Sequence, residues 1–231
     1  MPSNNLPVPD LSKRSLVLVG IIISFCIFLF SSTTLALLLK PAHLNEETLM
    51  FFSRICFWIC TIAIYAYAVN VEKQRLLLWT EKKYSFLFYV GSIISILLIL
   101  LAGITIISLI GMPLGLHNKS TKLNGMVSVL RKNKLLLVFT CLTAGVTEEL
   151  IFRGYLIPRL QLFIKNPTFA LIISSVLFGI AHIGYGSIAQ IIGPIFIGFI
   201  FALYYQKYRN IKILILCHFL WDFLTLLILT R

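Results

Sequence analysis

Glu148 and Glu149, adjacent carboxylates, stand with Arg153 inside an apolar run, and two later apolar runs carry His182 and the pair His218 and Asp222. A carboxylate and imidazoles in a low-dielectric space can take a proton from water and stabilise the oxyanion formed when that water attacks a carbonyl. Ionisable groups at bilayer depth are costly unless they are paired or turned to a protein interior. Three separate runs that each hold an acid or a histidine therefore point to one functional cluster. Helical spacing sets Glu149 and Arg153 one turn apart with the acid N-terminal, the better order for an ion pair. Glu148, about 100° round the same helix, is free for other work. Phe178 and His182 are also i and i+4, as are His218 and Asp222, so each pair shares a helix face. Ala144 and Gly145, one turn before Glu148, are expected to leave room for a water or a substrate backbone.

The elements that must position these residues are membrane spans. Hydrophobic residues make up 59% of the 231 positions, and the mean hydropathy is +0.96, well beyond a soluble domain. The expected fold is all-α, a polytopic transmembrane bundle in one integral domain. Spans are expected at 15–39, 55–71, 84–112, 135–157, 168–185, 187–205 and 211–230. The third is longer than a bilayer needs, with Gly103 a place to kink. The count rises to eight if the basic linker after it forms a half-span, and 123–130 within that linker is suited to lie along the interface. The divisions are a polar tail at 1–14, N-terminal helices and basic linker at 15–134, and a catalytic core at 135–231. If the motifs form one site, Glu148, His182 and His218 must share a depth. These boundaries put them about 9, 14 and 7 residues from the inner face, so the fifth span is expected to start nearer Leu171.

The net charge is +12, and the acids sort into two groups. Asp10, Glu46, Glu47, Glu72 and Glu81 fall in polar segments read as aqueous, and Glu148, Glu149 and Asp222 fall in apolar runs. Basic loops without acids suit anionic lipid headgroups, and no basic stripe interleaved with aromatics stands on a soluble module, which argues against nucleic acid. Lys13 and Arg14 before the first span put the N-terminus in the cytoplasm and the protein in the cell membrane, although the basic linker after span three opposes that orientation. Arg54 is expected to snorkel at the entrance of span two. The five cysteines, Cys26, Cys56, Cys60, Cys141 and Cys217, lie in spans and signal neither a disulfide framework nor a zinc knuckle.

Glu148-Glu149-Leu-Ile-Phe-Arg153, with Gly154 and Tyr155 after it, resembles the EExxxR motif of the CPBP family, the CAAX proteases and bacteriocin-processing enzymes also called Abi. Phe178-Gly-Ile-Ala-His182 is similar to its FxxxH motif and His218-Phe-Leu-Trp-Asp222 to its HxxxN/D motif, in the family's order. The resemblance covers 135–231 and implies an intramembrane glutamic endopeptidase that needs no metal or other cofactor. By position it implies Glu148 as general base with His182 assisting, His218 and Asp222 holding the oxyanion, and Glu149 and Arg153 bracing the site beside Phe178. The implied partner is a peptide or protein substrate, such as a prenylated protein or a bacteriocin-like peptide, in contact with membrane lipids.

Other classes remain open at this point. A non-catalytic membrane immunity or scaffold protein of the bacteriocin self-immunity type would keep the motifs for folding. A proton-coupled transporter could use Glu148 and the histidines as a relay, but no internal repeat of the transporter kind is visible. His182, His218 and a carboxylate could supply three zinc ligands, without the HExxH spacing. At position 222 the family often has Asn, which donates a hydrogen bond at any pH, whereas Asp donates only when protonated. If Asp222 acts as a neutral donor, Asp222→Asn extends cleavage to higher pH. If it instead orients a charged His218, the variant is slower at every pH, and the pH profile beside the parent separates the two.

Overall fold

The computed structural model describes residues 11–113 and 120–231. Residues 1–10 of the expected tail and Lys119 of the expected basic linker lie outside the described residues. Residues 11–14 already belong to the first helix. The order is α1 (Leu11–Leu39), α2 (Glu46–Asn70), α3 (Phe86–Gly111), α4 (Thr121–Lys132), α5 (Lys134–Glu148), a π-helical segment (Glu149–Leu156), α6 (Ile157–Leu160), α7 (Pro167–Ile180), α8 (Ala189–Tyr208) and α9 (Ile211–Leu229). Among the described residues seven helical stretches are long and apolar enough to cross a membrane, and α5 through α6 count as one of them. The chain is an all-α integral membrane protein.

Capping explains where several helices begin. Asn45 caps α2 by accepting from the Thr48 N–H at 2.8 Å, with Glu46 and Glu47 in the first turn where the helix dipole favours acids. The helix therefore starts at Glu46 and not near residue 55, and Arg54 sits well inside it, not at its entrance. Asn133 ends α4 and caps α5, accepting from the Leu136 N–H at 2.9 Å. Asn166 accepts from the Thr168 N–H at 2.9 Å with Pro167 at the first helical position, so α7 begins at Pro167 and the expected shift toward Leu171 does not occur. α3 is helical through Gly103, whose missing side chain admits the Phe196 ring of α8. The expected short helix in the basic linker is α4, and it packs against α5 and the turn after α7.

Two apolar clusters tie the N-terminal helices to the later ones. Val17, Ile21, Phe28, Ile64 and Ala68 pack with Phe152, Tyr155 and Phe178. Ile96 and Leu100 of α3 pack with Phe201 of α8 and Leu214 of α9.

The α2–α3 connection departs most from the sequence reading, because Glu72 and Trp79 within it are built into the bundle while Lys73, Gln74, Arg75, Lys82 and Lys83 stay exposed as expected. Glu72 is 3% exposed and Trp79 2%. Glu72 Oε2 accepts from Arg159 Nη2 at 2.6 Å and Nε at 2.8 Å, and its Oε1 accepts from the Tyr155 hydroxyl at 2.6 Å. Arg159 also donates to the carbonyls of Leu76, Tyr155 and Arg75 and lies over the Tyr155 ring, so its whole guanidinium is engaged. Glu81 accepts from the Tyr205 hydroxyl at 2.8 Å and from the Ile211 N–H at 2.6 Å, which puts a carboxylate on the N-terminus of α9. A buried pair is destabilising chiefly when one partner is removed. Arg159→Met is expected to lose about 3–5 kcal/mol and Glu72→Gln/Arg159→Met less than either single variant, as read by thermal unfolding and folded yield in detergent.

Candidate active site

The acidic motif sits where α5 passes into the π-helical segment. Such segments, with their i→i+5 bonding, are rare and concentrate at functional sites. Pro158 follows two residues after the segment. Proline offers no N–H to the preceding turn and crowds the carbonyl four residues back, so a wider turn ahead of it relieves that strain. Pro158 is the one sequence signal near this segment, and ordinary helical spacing was expected there. The i,i+4 pair survives the change of register: Arg153 Nη1 donates to Glu149 Oε1 at 2.8 Å with both side chains almost wholly buried.

Glu149 does more than brace the arginine. Its Oε1 lies 2.7 Å from His218 Nδ1. A carboxylate that already takes a proton donor from Arg153 can only accept here, so the proton is on His218 Nδ1. The opposite ring nitrogen, Nε2, is 3.5 Å from Asp222 Oδ2 and 3.9 Å from Glu148 Oε2. Glu148 thus meets an imidazole well inside the 10 Å or so that a shared site requires. Its Oε2 is buried and bonds to no side chain among the described residues. Asp222 is the most open of the group, with 30% of its side chain exposed.

His182 lies just past the end of α7, in the turn that leads to Ile183–Tyr185. Its Nδ1 is 2.8 Å from the Phe178 carbonyl, one of the acceptors a helix end leaves without an amide partner. A carbonyl only accepts, so this histidine too holds its proton on Nδ1 and presents Nε2 to its surroundings. Phe178 meets the His182 ring edge-on at 4.9 Å and takes the Arg153 guanidinium on its face at 4.3 Å, so it stands between the two charged motifs.

Glu148, His182, His218 and Asp222 all line one cavity of about 430 Å³. Its apolar walls come from α3 and α8, including Ile104, Ile107, Ile192 and Ile197. Ala144 lines it as expected, but Gly145 does not. A side chain there would come within 3.0 Å of the Ile215 carbonyl and the Phe219 amide, so Gly145 lets α5 and α9 touch and brings Glu149 to His218. Among the lining residues that the sequence reading missed are Arg54 and Tyr185. The Asn45-Glu46-Glu47 capping signal could have placed Arg54 inside α2, whereas nothing local identifies Tyr185. Among the described residues no three His, Cys, Asp or Glu side chains are grouped as metal ligands.

Residues 131–224 match a family model described as type II CAAX prenyl endopeptidase Rce1-like. The match spans α5 to most of α9 with all three motifs, and the first 130 residues lie outside it. No curated protein and no solved structure matches the chain.

The geometry separates the two glutamates. Glu149→Gln strands Arg153 and weakens the hold on His218, so folded yield is expected to fall by an effect on the order of a few kcal/mol. Glu148→Gln disturbs no ion pair of that kind and is expected to accumulate like the parent. Abundance and melting of the two variants, measured side by side in detergent, check the division.

Proposed function

We propose, from the family pattern carried by residues 131–224, that this protein is an intramembrane endopeptidase that hydrolyses a peptide or protein substrate near the membrane. The carrying observation is a cavity-lining carboxylate, Glu148, whose buried Oε2 stands opposite the Nε2 of a histidine whose other nitrogen is held by Glu149. In this reading Glu148 takes a proton from water, and the hydroxide attacks the scissile carbonyl carbon. The His182 Nε2 helps to orient that water. With Nδ1–H given to Glu149, a proton on His218 Nε2 makes it the imidazolium that donates to the oxyanion, with Asp222 at its side. Glu148 then returns its proton to the leaving amine as the C–N bond breaks. Arg153 holds Glu149 in place, and Phe178 packs between it and His182.

No step of this chemistry uses a metal or another cofactor. The matched family's description favours a prenylated peptide as substrate, and bacteriocin-like peptides are the second class that the motif resemblance implies. Lys73, Arg75, Lys82, Lys83, Lys165 and Lys212 lie at the end of the bundle where α1 begins, and Lys40, Lys122, Arg131, Lys132, Lys134 and Arg231 at the other; with Arg14 at the start of α1, the reading places the N-terminus in the cytoplasm and the protein in the cell membrane.

Cleavage of a prenylated peptide by the purified protein is expected to drop at least about a hundredfold in Glu148→Gln, as loss of a general base does, while folded yield is kept and a strong chelator changes nothing. A cellular phenotype that Glu148→Gln fully retains would overturn the enzyme reading in favour of an immunity or scaffold protein. Loss of cleavage on chelation would overturn the metal-free mechanism.

A further inference from the structure

The turn that carries His182 is held by more than its own helix. His182 stands at φ −92° and ψ 0°, a sparsely used backbone region in which many active-site residues sit. The Tyr185 N–H donates to the His182 carbonyl at 3.0 Å, and the turn closes at Gly186, whose φ of 74° suits glycine. A 3-10 turn sets residues three apart on one side, which returns the Tyr185 ring to His182. The two rings lie 24° from parallel with centroids 6.0 Å apart. His182 therefore has two aromatic neighbours, Phe178 from the helix before it and Tyr185 from the turn after it.

Tyr185 is in turn gripped by α4, most of which lies outside the family match. The buried Ser120 hydroxyl caps α4 by accepting from the Leu123 N–H at 3.0 Å, and it donates to the Tyr185 carbonyl at 2.6 Å. The Lys122 Nζ stands 5.9 Å from the centroid of the Tyr185 ring. The Tyr185 hydroxyl is directed at the Met126 sulfur, 3.9 Å away. A thioether is a weak acceptor, so the backbone and the ring, rather than the hydroxyl, carry the grip. Tyr185, His182 and Glu148 line the same cavity. The bond from Nδ1 to the Phe178 carbonyl selects the tautomer of His182, but a ring held at one nitrogen can still swing about that bond. A flat neighbour along its face removes that freedom.

We infer that Tyr185, anchored by α4, is a positioning residue whose ring fixes the plane of His182 and so keeps its Nε2 on the water that Glu148 activates. The effect on cleavage rests on the peptidase reading, whereas the hold on the imidazole can be read without cleavage. Full-length protein in nanodiscs of neutral lipid is used throughout, with a farnesylated hexapeptide as the substrate probe. Tyr185→Leu, which removes the flat ring, is expected to lower kcat about tenfold or more and to leave KM within about twofold of the parent, as misplacement of a catalytic group does. Tyr185→Phe, which keeps the ring, should retain most of kcat.

The hold itself is read by nitrogen NMR of histidine-labelled protein, with His182 assigned from the signals lost in His182→Gln. At a pH where the ring is neutral, the parent is expected to show one protonated and one bare nitrogen at His182. Tyr185→Leu should draw those two signals together as the freed ring exchanges tautomers, and Tyr185→Phe should leave them apart. Parental kcat in Tyr185→Leu, a change in KM alone, equal losses in the Leu and Phe variants, or His182 signals that Tyr185→Leu leaves in place overturns the inference. So does failure of both Tyr185→Leu and Tyr185→Met to accumulate while Tyr185→Phe does, because the ring then serves the fold alone. If the nitrogen signals respond as expected while the parent cleaves no peptide, the hold on His182 stands and the peptidase reading fails.

Discussion

The site depends on one buried carboxylate. Glu149 is shared between the guanidinium of Arg153, one turn along its own segment, and the Nδ1–H of His218 from α9. Burying a lone anion here would be prohibitive, and the arginine alone would leave it a local brace. Because it also holds an imidazole from another helix, the carboxylate fixes that ring's tautomer and aims its second nitrogen at Glu148. Gly145 makes this possible by letting the backbones of α5 and α9 come into contact. His182 reaches the same end differently, using the unpaired carbonyl at the end of α7 as its acceptor. Both histidines therefore expose Nε2, and each is oriented by a group that can only accept.

Much of this was legible because it is short-range. An acid and a base four residues apart, an aromatic four before a histidine and a histidine four before an acid each define a helix face, and that survives even the π-helical register of the first motif. Apolar length alone was enough for seven spans. The assignment of Glu149 to Arg153 was correct but incomplete, since its second partner is 69 residues away in sequence. Periodicity carries no information about such a contact.

The misreadings have the same origin. Glu72 stands among polar neighbours, and composition assigned it to water, yet its partner is Arg159 inside the protein. Arg54 was read as an entrance residue because the apolar run, not the Asn45 cap, was used to start its helix. Polar composition reports which groups need partners and is silent on whether water or another part of the chain supplies them. The N-terminal helices, which carry no recognisable motif, accordingly contribute more to the bundle and its cavity than their sequence suggests.

The Glu72–Arg159 pair also imposes an order on biosynthesis. Its partners are 87 residues apart, so when a ribosome has delivered α2 and its following segment to the membrane, the arginine has not yet been made. An unpaired carboxylate cannot be sealed into an apolar interior at that stage, and Glu72 has to wait hydrated at the bilayer surface. The closing of the α2–α3 connection over the bundle is therefore a late event in topogenesis, coupled to emergence of the segment that also carries the acidic motif. Quality control that senses an open connection would in effect be testing whether the C-terminal half has arrived.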